Sequence, residues 1–264
     1  MDILEPFERM IASVASPAAI RAVEADGNSD AMWSEIASSG YLDALVPEAK
    51  GGAGLSLSEV EPLLRVLGRH AVPLPVAETM AARAIAAQTG DISPEGPTML
   101  NTGHRALAAV LAAAKIAGCA ERLLEMSITH ANDRVQFGKP IARQQAIQHQ
   151  LAVMGEQLLM ARMAGQIGCA AGLAPSARSA ATAKQVASAA AGKVAAIAHG
   201  VHGAMGITQE FDLQLYTRRI RTLRLHAGSE SYWARVLGQA RLDDSTTASV
   251  AWLADGGENQ YIAQ

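Results

Sequence analysis

Apolar side chains recur at helical spacing over most of the chain, and the pattern sharpens towards the C-terminus. Ile3, Phe7, Met10 and Ile11 mark one amphipathic stretch, and Trp33, Ile36 and Ala37 begin a second stripe that stops near Gly40. From Leu45 to Glu59 the sequence L-V-P-E-A-K-G-G-A-G-L-S-L-S-E breaks the period. Gly51, Gly52 and Gly54 predict a loop, and Ser56 or Ser58 is placed to cap the next helix, with Glu59 and Glu61 in its first turn. The loop lacks the G-K-[ST] ending of a phosphate-binding P-loop and reads as a turn. Val60, Leu63, Leu64 and Leu67 share one side of the helix before Val72-Pro73-Leu74-Pro75 stops it, and a short helix is expected from about Val76 to Ala87.

Residues 88–103, Q-T-G-D-I-S-P-E-G-P-T-M-L-N-T-G, have no period and are rich in Gly, Pro, Thr and Asn, which predicts a boundary. One long helix is expected from about His104 to Ala131. A second, from near Ala142, carries Ile147, Leu151, Met154, Leu158, Ala161, Gly165 and Cys169 in alternating steps of four and three, the seam of nearly parallel helix packing. Gly172 to Pro175 ends it. Ser176 caps a third, whose seam is Ala183, Val186, Ala190, Val194, Ile197 and Val201, and a last helix runs from Ser229 to about Ala240. The pattern divides the chain into an N-terminal helical domain (1–87), a linker (88–103), a C-terminal helical bundle (104–242) and a tail (243–264). In the tail, Trp252, Leu253 and Tyr261 are the side chains able to dock.

Composition supports an all-α reading: half of the 264 residues are apolar, but only 4% are aromatic, which suits helices packed closely through small side chains. A net charge of -3 gives no global attraction to nucleic acid or to an acidic membrane surface, and neither partner is expected. Cys119 and Cys169 lie within helical patterns without C-x-x-C spacing and read as core residues of a reducing compartment. With no secretory signal and no membrane span in the pattern, the expected location is cytoplasmic.

Few residues advertise chemistry. His199 and His202 stand three apart near a helix end, but no Asp, Glu or Cys lies nearby in sequence to complete a ligand set, so no metal site is expected. His149 lies on a polar helix side, and no nucleophile elbow is present. Arg218, Arg219, Arg221 and Arg224 read either as a solvated face paired with carboxylates or as a phosphate site. Between the first two bundle helices, D-R-V-Q-F-G-K-P-I-A-R-Q-Q-A-I-Q-H-Q (133–150) places an Arg, a Gln and an aromatic ring close together. Such a loop can grip an anion and a flat ring, or merely turn the chain.

Three blocks in order resemble the acyl-CoA dehydrogenase family: Gly40 to Glu59, Asp133 to Met154, and H-G-A-M-G-I-T-Q-E-F-D-L-Q-L-Y-T-R-R-I from His202 to Ile220. The resemblance implies an N-terminal helical domain and a C-terminal four-helix bundle of that family's type. It also implies that the middle β domain, which holds the flavin ring and part of the coenzyme A thioester, is absent, its place taken by residues 88–103. In the family a Tyr-Glu-Gly-Thr segment supplies the Glu that removes the α-proton of the acyl thioester. The matching residues here are His226, Ala227, Gly228 and Ser229, so the usual base position, Ala227, is empty. His226 and Glu230 are the substitutes within reach. Where the family sometimes places a base on the first bundle helix, this chain has Gly103-His104-Arg105.

The resemblance also implies a cofactor role. Arg134, Gln136 and Phe137 match residues that reach across a dimer to the adenosine-diphosphate end of a neighbour's FAD, and His202, Gly203, Ala204 and Gly206 match a glycine loop at the same end. Gly200 and Ala204 depart from the family's Gln and Gly. The expectation is a subunit of a heteromeric acyl-CoA dehydrogenase acting on a bulky acyl-CoA, such as a steroid side-chain thioester. FAD would be shared with a full-length acyl-CoA dehydrogenase subunit, electrons would pass to an electron-transfer flavoprotein, and the C-terminal bundle would form the oligomer. The alternatives are a flavin-free structural or regulatory homologue, and a hydratase or lyase using His226 or Glu230.

Overall fold

The computed structural model describes residues 3–244 and 248–254. Five helices build the N-terminal part: α1 (Leu4–Val14), α2 (Pro17–Asp26), α3 (Asp30–Ser38), α4 (Leu57–Arg69) and α5 (Val76–Thr89). Six follow the linker: α6 (Arg105–Asp133), α7 (Gln145–Ala170), α8 (Ala177–His202), α9 (Leu213–Leu225), α10 (Glu230–Asp243) and α11 (Ser249–Ala254). Among the described residues the only strands are the two short arms of a hairpin after α6, β1 (Val135–Gln136) and β2 (Lys139–Pro140).

The helix starts follow local chemistry. Ser56 and Glu59 form a reciprocal capping box on α4, and Ser176 and Ser229 cap α8 and α10 by accepting from Ser179 N and Tyr232 N. Helices α2 and α9 lie where no clear apolar period announced them. Four of α9's thirteen residues are arginines, and its inward face is held by Leu213, Leu215, Tyr216, Ile220 and Leu223.

Helices α6, α7 and α8 pack on one another, and α9 and α10 close the bundle against α6 and α8. The N-terminal helices join the same hydrophobic core, which runs from Phe7 to Trp233. Two glycines set that junction. A Cβ on Gly68 of α4 would stand 1.9 Å from the Lys115 carbonyl oxygen, and one on Gly118 of α6 would stand 1.9 Å from that of Arg65. The two backbones therefore touch, and neither position accepts even alanine without moving a helix. On α7 the seam residues Met154, Ala161, Gly165 and Cys169 are buried.

Residues 90–101 have no helix or strand and are tied to α5, where Arg83 Nε donates to the Pro94 carbonyl at 3.0 Å and Thr98 N donates to Thr79 Oγ1 at 2.9 Å. The four arginines of α9 divide. Arg218 and Arg219 pair with Glu24 of α2 at 2.5 and 3.2 Å, Arg224 pairs with Glu230, and Arg221 is exposed. The carboxylate-paired reading thus accounts for three of them. In the tail, Trp252 is buried against the Arg178 guanidinium, 3.7 Å from its ring centroid. The Leu253 side chain and Tyr261 lie outside the described residues.

Candidate functional site

Helix α6 ends at Asp133, and Arg134 leaves it in an extended conformation. The hairpin that follows pairs Val135 with Pro140 and Gln136 with Lys139, leaving Phe137 and Gly138 as a two-residue turn. Both have left-handed backbone, φ 54° and 76°, as a type I′ turn requires. Glycine adopts this freely; phenylalanine does so at a cost of about 1–2 kcal/mol. The ring is also 91% exposed, so no packing of it among the described residues offsets that cost. Arg134 and Gln136 are exposed beside it.

The family-type glycine loop shares a cavity with Arg134, the residue that leads into the hairpin. Helix α8 ends at His202, and Gly203 takes φ 58° and ψ −139°, a backbone open essentially only to glycine. A 3-10 turn, Gly203–Ile207, carries Ala204 and Met205 at the surface and Gly206 inside. The buried His202 ring stacks on His130 of α6 at 4.4 Å and lies 5.3 Å from the Phe211 ring, while its Nδ1–H donates to the Ala198 carbonyl at 2.8 Å. Burial lowers the pKa of both histidines; for His130 the Arg134 guanidinium adds to the effect, and for His202 the neighbouring His130 does. Both rings are therefore neutral near pH 7.

A cavity of about 530 Å³ lies between the C-terminal end of α6 and this loop, lined by Arg122, Glu125, Met126, Thr129, His130, Asp133, Arg134, Met205 and Phe211. Of the residues singled out in sequence, Arg134 lines it and His202 supports its wall through His130 and Phe211, while Gly203 and Ala204 are not in its lining. Gln136 and Phe137 are not in its lining and stand on the hairpin. Sequence reasoning missed His130, Met205 and Phe211. The signal for His130 was its position one helical turn before Arg134, which puts both on one face.

The second candidate region is the turn His226–Ser229. Ala227 and Gly228 have φ 57° and 111°. The turn is held from beneath by Lys184, whose Nζ donates to Ser188 Oγ at 2.8 Å, to the Arg224 carbonyl at 2.8 Å and to the Gly228 carbonyl at 3.1 Å. Burial brings the Lys184 pKa down to about 7. Trp233 Nε1–H donates to the Ala227 carbonyl at 3.1 Å.

Neither substitute base faces a cleft freely. Glu230 accepts from Arg224 Nε at 3.1 and 3.0 Å, and that hydrogen bond holds its carboxyl below the usual range. His226 turns Nε2 inwards, 3.8 Å from the Glu78 carboxylate, which in turn pairs with Lys115 at 2.5 Å. Burial lowers the His226 pKa. At the start of α6, His104 Nδ1 lies 2.9 Å from Asn101 Oδ1, and Arg105 donates to the Tyr232 hydroxyl at 3.0 Å. Among the described residues no three metal-ligating side chains gather, and no helix is long and apolar enough to cross a membrane.

The model of the acyl-CoA dehydrogenase C-terminal domain matches residues 104–242, more than half of the chain. The chain belongs to the acyl-CoA dehydrogenase family. Within the family it is similar to the acyl-CoA dehydrogenase IpdE2 of Mycobacterium tuberculosis, 27% identical over 284 aligned positions that cover 81% of this chain and 88% of that protein. IpdE2 of Mycolicibacterium smegmatis is 28% identical, covering 81% and 90%. Two solved structures share the fold. The Tcur3481-Tcur3483 steroid ACAD superposes with a TM-score of 0.80 at 20% identity, covering 92% of this chain and 99% of that one. The ChsE4-ChsE5 complex from Mycobacterium tuberculosis gives 0.76 at 17%, covering 94% and 97%. The chain is a shortened member of the family that lacks its middle domain, and the described residues offer no β platform for a flavin ring.

Proposed function

We propose that this chain is a subunit of a heteromeric FAD-dependent acyl-CoA dehydrogenase acting on a bulky acyl-CoA of the steroid side-chain kind, in which it completes a FAD site whose flavin platform belongs to a full-length partner. The observation that carries the reading is Phe137, an exposed ring on a strained left-handed backbone, in the hairpin that follows the cavity-lining Arg134. Strain of this kind persists where a ligand or partner uses it.

The residues fit the adenosine-diphosphate end of FAD. Arg134 offers a guanidinium fork to pyrophosphate oxygens, Gln136 an amide, and Phe137 an apolar face, while Met205 of the loop and Phe211 line the cavity that Arg134 borders. They do not fit the flavin ring, for which the described residues hold no platform. When bound, FAD supplies the hydride acceptor of α,β-dehydrogenation. The partner supplies the carboxylate that takes the α-proton, since Ala227 carries no group able to accept one. Electrons would leave to an electron-transfer flavoprotein. The similarity to solved assemblies named as a steroid ACAD and as a two-component complex supports this reading. A hydratase or lyase would need Glu230 or His226 free, and the first is ion-paired while the second faces Glu78.

The test is to co-purify the chain with a full-length family member encoded beside it and to measure retained FAD by visible absorbance. Arg134→Ala should weaken retention by about 10- to 100-fold, the worth of roughly 1.5–3 kcal/mol for a charge-assisted hydrogen bond. Unchanged FAD retention in that variant overturns the cross-subunit role.

A further inference from the structure

His130 lines the cavity at the end of α6, yet among the described residues neither of its ring nitrogens has a hydrogen-bond partner. Arg134, one helical turn further on, lines the same space and makes no ion pair among the described residues. The His130 ring is held by its 4.4 Å stack on His202, whose own Nδ1–H is fixed on the Ala198 carbonyl. The His202 Nε2 is buried without a partner. The stack therefore joins one sealed ring to one half-buried ring that is free to take a proton. Most other charges around it are engaged. Glu125 accepts from Arg69 at 2.7 Å and lies 3.6 Å from Arg122, His199 of α8 is 3.1 Å from the Thr217 hydroxyl, and Asp212, beside Phe211, pairs with Arg21 at 2.5 Å. Asp133 is exposed, where solvent screens it.

We propose that His130 is a second anion-binding group of this cavity, which joins Arg134 on the oxygens of a diphosphate and takes up a proton as that ligand binds. This role rests on the nucleotide reading of the cavity. It adds the residue by which the site selects a charged diphosphate over an uncharged nucleoside. Without a ligand, burial and then the Arg134 guanidinium favour the neutral ring, with Asp133 working the other way. An anion within about 4–6 Å favours the imidazolium instead, and a charge-assisted hydrogen bond to phosphate is stronger than a neutral one. The ring is thus more basic with the ligand bound than without it. Affinity rises as pH falls through the bound-state value and levels off below the free-state value, by at most about tenfold per pH unit for one proton. A ring that only filled the wall would give no such linkage.

The probe is ADP-ribose, a diphosphate diester without the second phosphate ionisation near pH 6 that ADP would bring. Titration calorimetry on the full chain at pH 8, 7 and 6 should show binding that tightens by about three- to tenfold per unit, with net proton uptake when buffers of different ionisation enthalpy are compared. His130→Gln, and His130→Phe, which keeps a ring on His202, should both flatten that profile with helicity unchanged. Arg134→Ala should weaken binding at every pH, and adenosine should bind without pH dependence. A profile that survives in both His130 variants overturns this role and leaves the nucleotide reading standing. So does a profile lost in His202→Phe but kept in His130→Gln. No binding of ADP-ribose up to roughly 10 mM also overturns it, whereas the cross-subunit FAD role fails separately, on unchanged flavin retention by Arg134→Ala in the co-purified complex.

Discussion

Glu78 of α5 and Lys115 of α6 meet at 2.5 Å within the core, with the Glu78 side chain only 2% exposed. Burial alone would raise the Glu78 pKa, but the Lys115 ammonium outweighs it and holds the carboxylate below its ordinary value. Removing one partner strands a buried charge, so Lys115→Met should cost about 3–5 kcal/mol, whereas the double change Glu78→Leu with Lys115→Leu should be close to neutral. Urea midpoints of the single and double variants check this. The depressed pKa makes the pair's contribution fully present above the ordinary carboxylate range and lost as pH falls through the folded-state value.

Phe137 separates stability from function. Phe137→Asn installs the Asn-Gly pair that a type I′ turn favours. It should raise stability by up to about 1 kcal/mol by relieving left-handed strain, while weakening FAD retention in the partnered assembly. Thermal unfolding of the chain and flavin content of the complex measure the two effects independently.

Acid should loosen the chain before its carboxylates titrate. Burial lowers the pKa of His70, His130, His199, His202 and His226. Below pH 6.5, the ordinary histidine value, the unfolded chain therefore binds more protons than the folded one, and stability falls as pH drops. His202→Phe, which keeps a ring against His130, should reduce that slope in unfolding free energy between pH 6.5 and 5.

Lys184 should give the opposite end of the profile. Its folded pKa is about 7 against an ordinary value of 10.5. Between these values the unfolded state binds the extra proton, so stability rises with pH. Above the ordinary thiol value of 9.0 the gain is opposed by Cys119, whose buried thiol is pushed up to about 12. Urea unfolding at pH 7, 8 and 9 should show the rise, and Lys184→Met should flatten it.

Much of the architecture was legible because its causes are local. The cap at Ser176 and the break at Gly172 to Pro175 depend on residues within one helical turn, and α8 begins at Ala177 as they require. The long seams of α7 and α8 depend only on period. Helix α9 was hidden because its arginines break up the apolar pattern, and their purpose is met by Glu24, far away in the sequence. The block with Arg134, Gln136 and Phe137 was readable as the connection between two long helices, and Arg134 lines the cavity there. The His130–His202 stack was not, because nothing within either segment refers to the other.

By itself, then, the sequence determined that the chain is helical, where most helices start and stop, that no carboxylate occupies position 227, and which block to examine for a nucleotide. These follow from short-range sterics, hydrogen bonding and side-chain chemistry. Only the tertiary structure decided that Phe137 is strained and unburied, that Arg134 shares a cavity wall with Met205, and that His226 faces a buried Glu78–Lys115 pair. Such relationships arise where helices cross, and the crossings are set by close contacts such as Gly68 on Lys115 and Gly118 on Arg65 that no local pattern encodes.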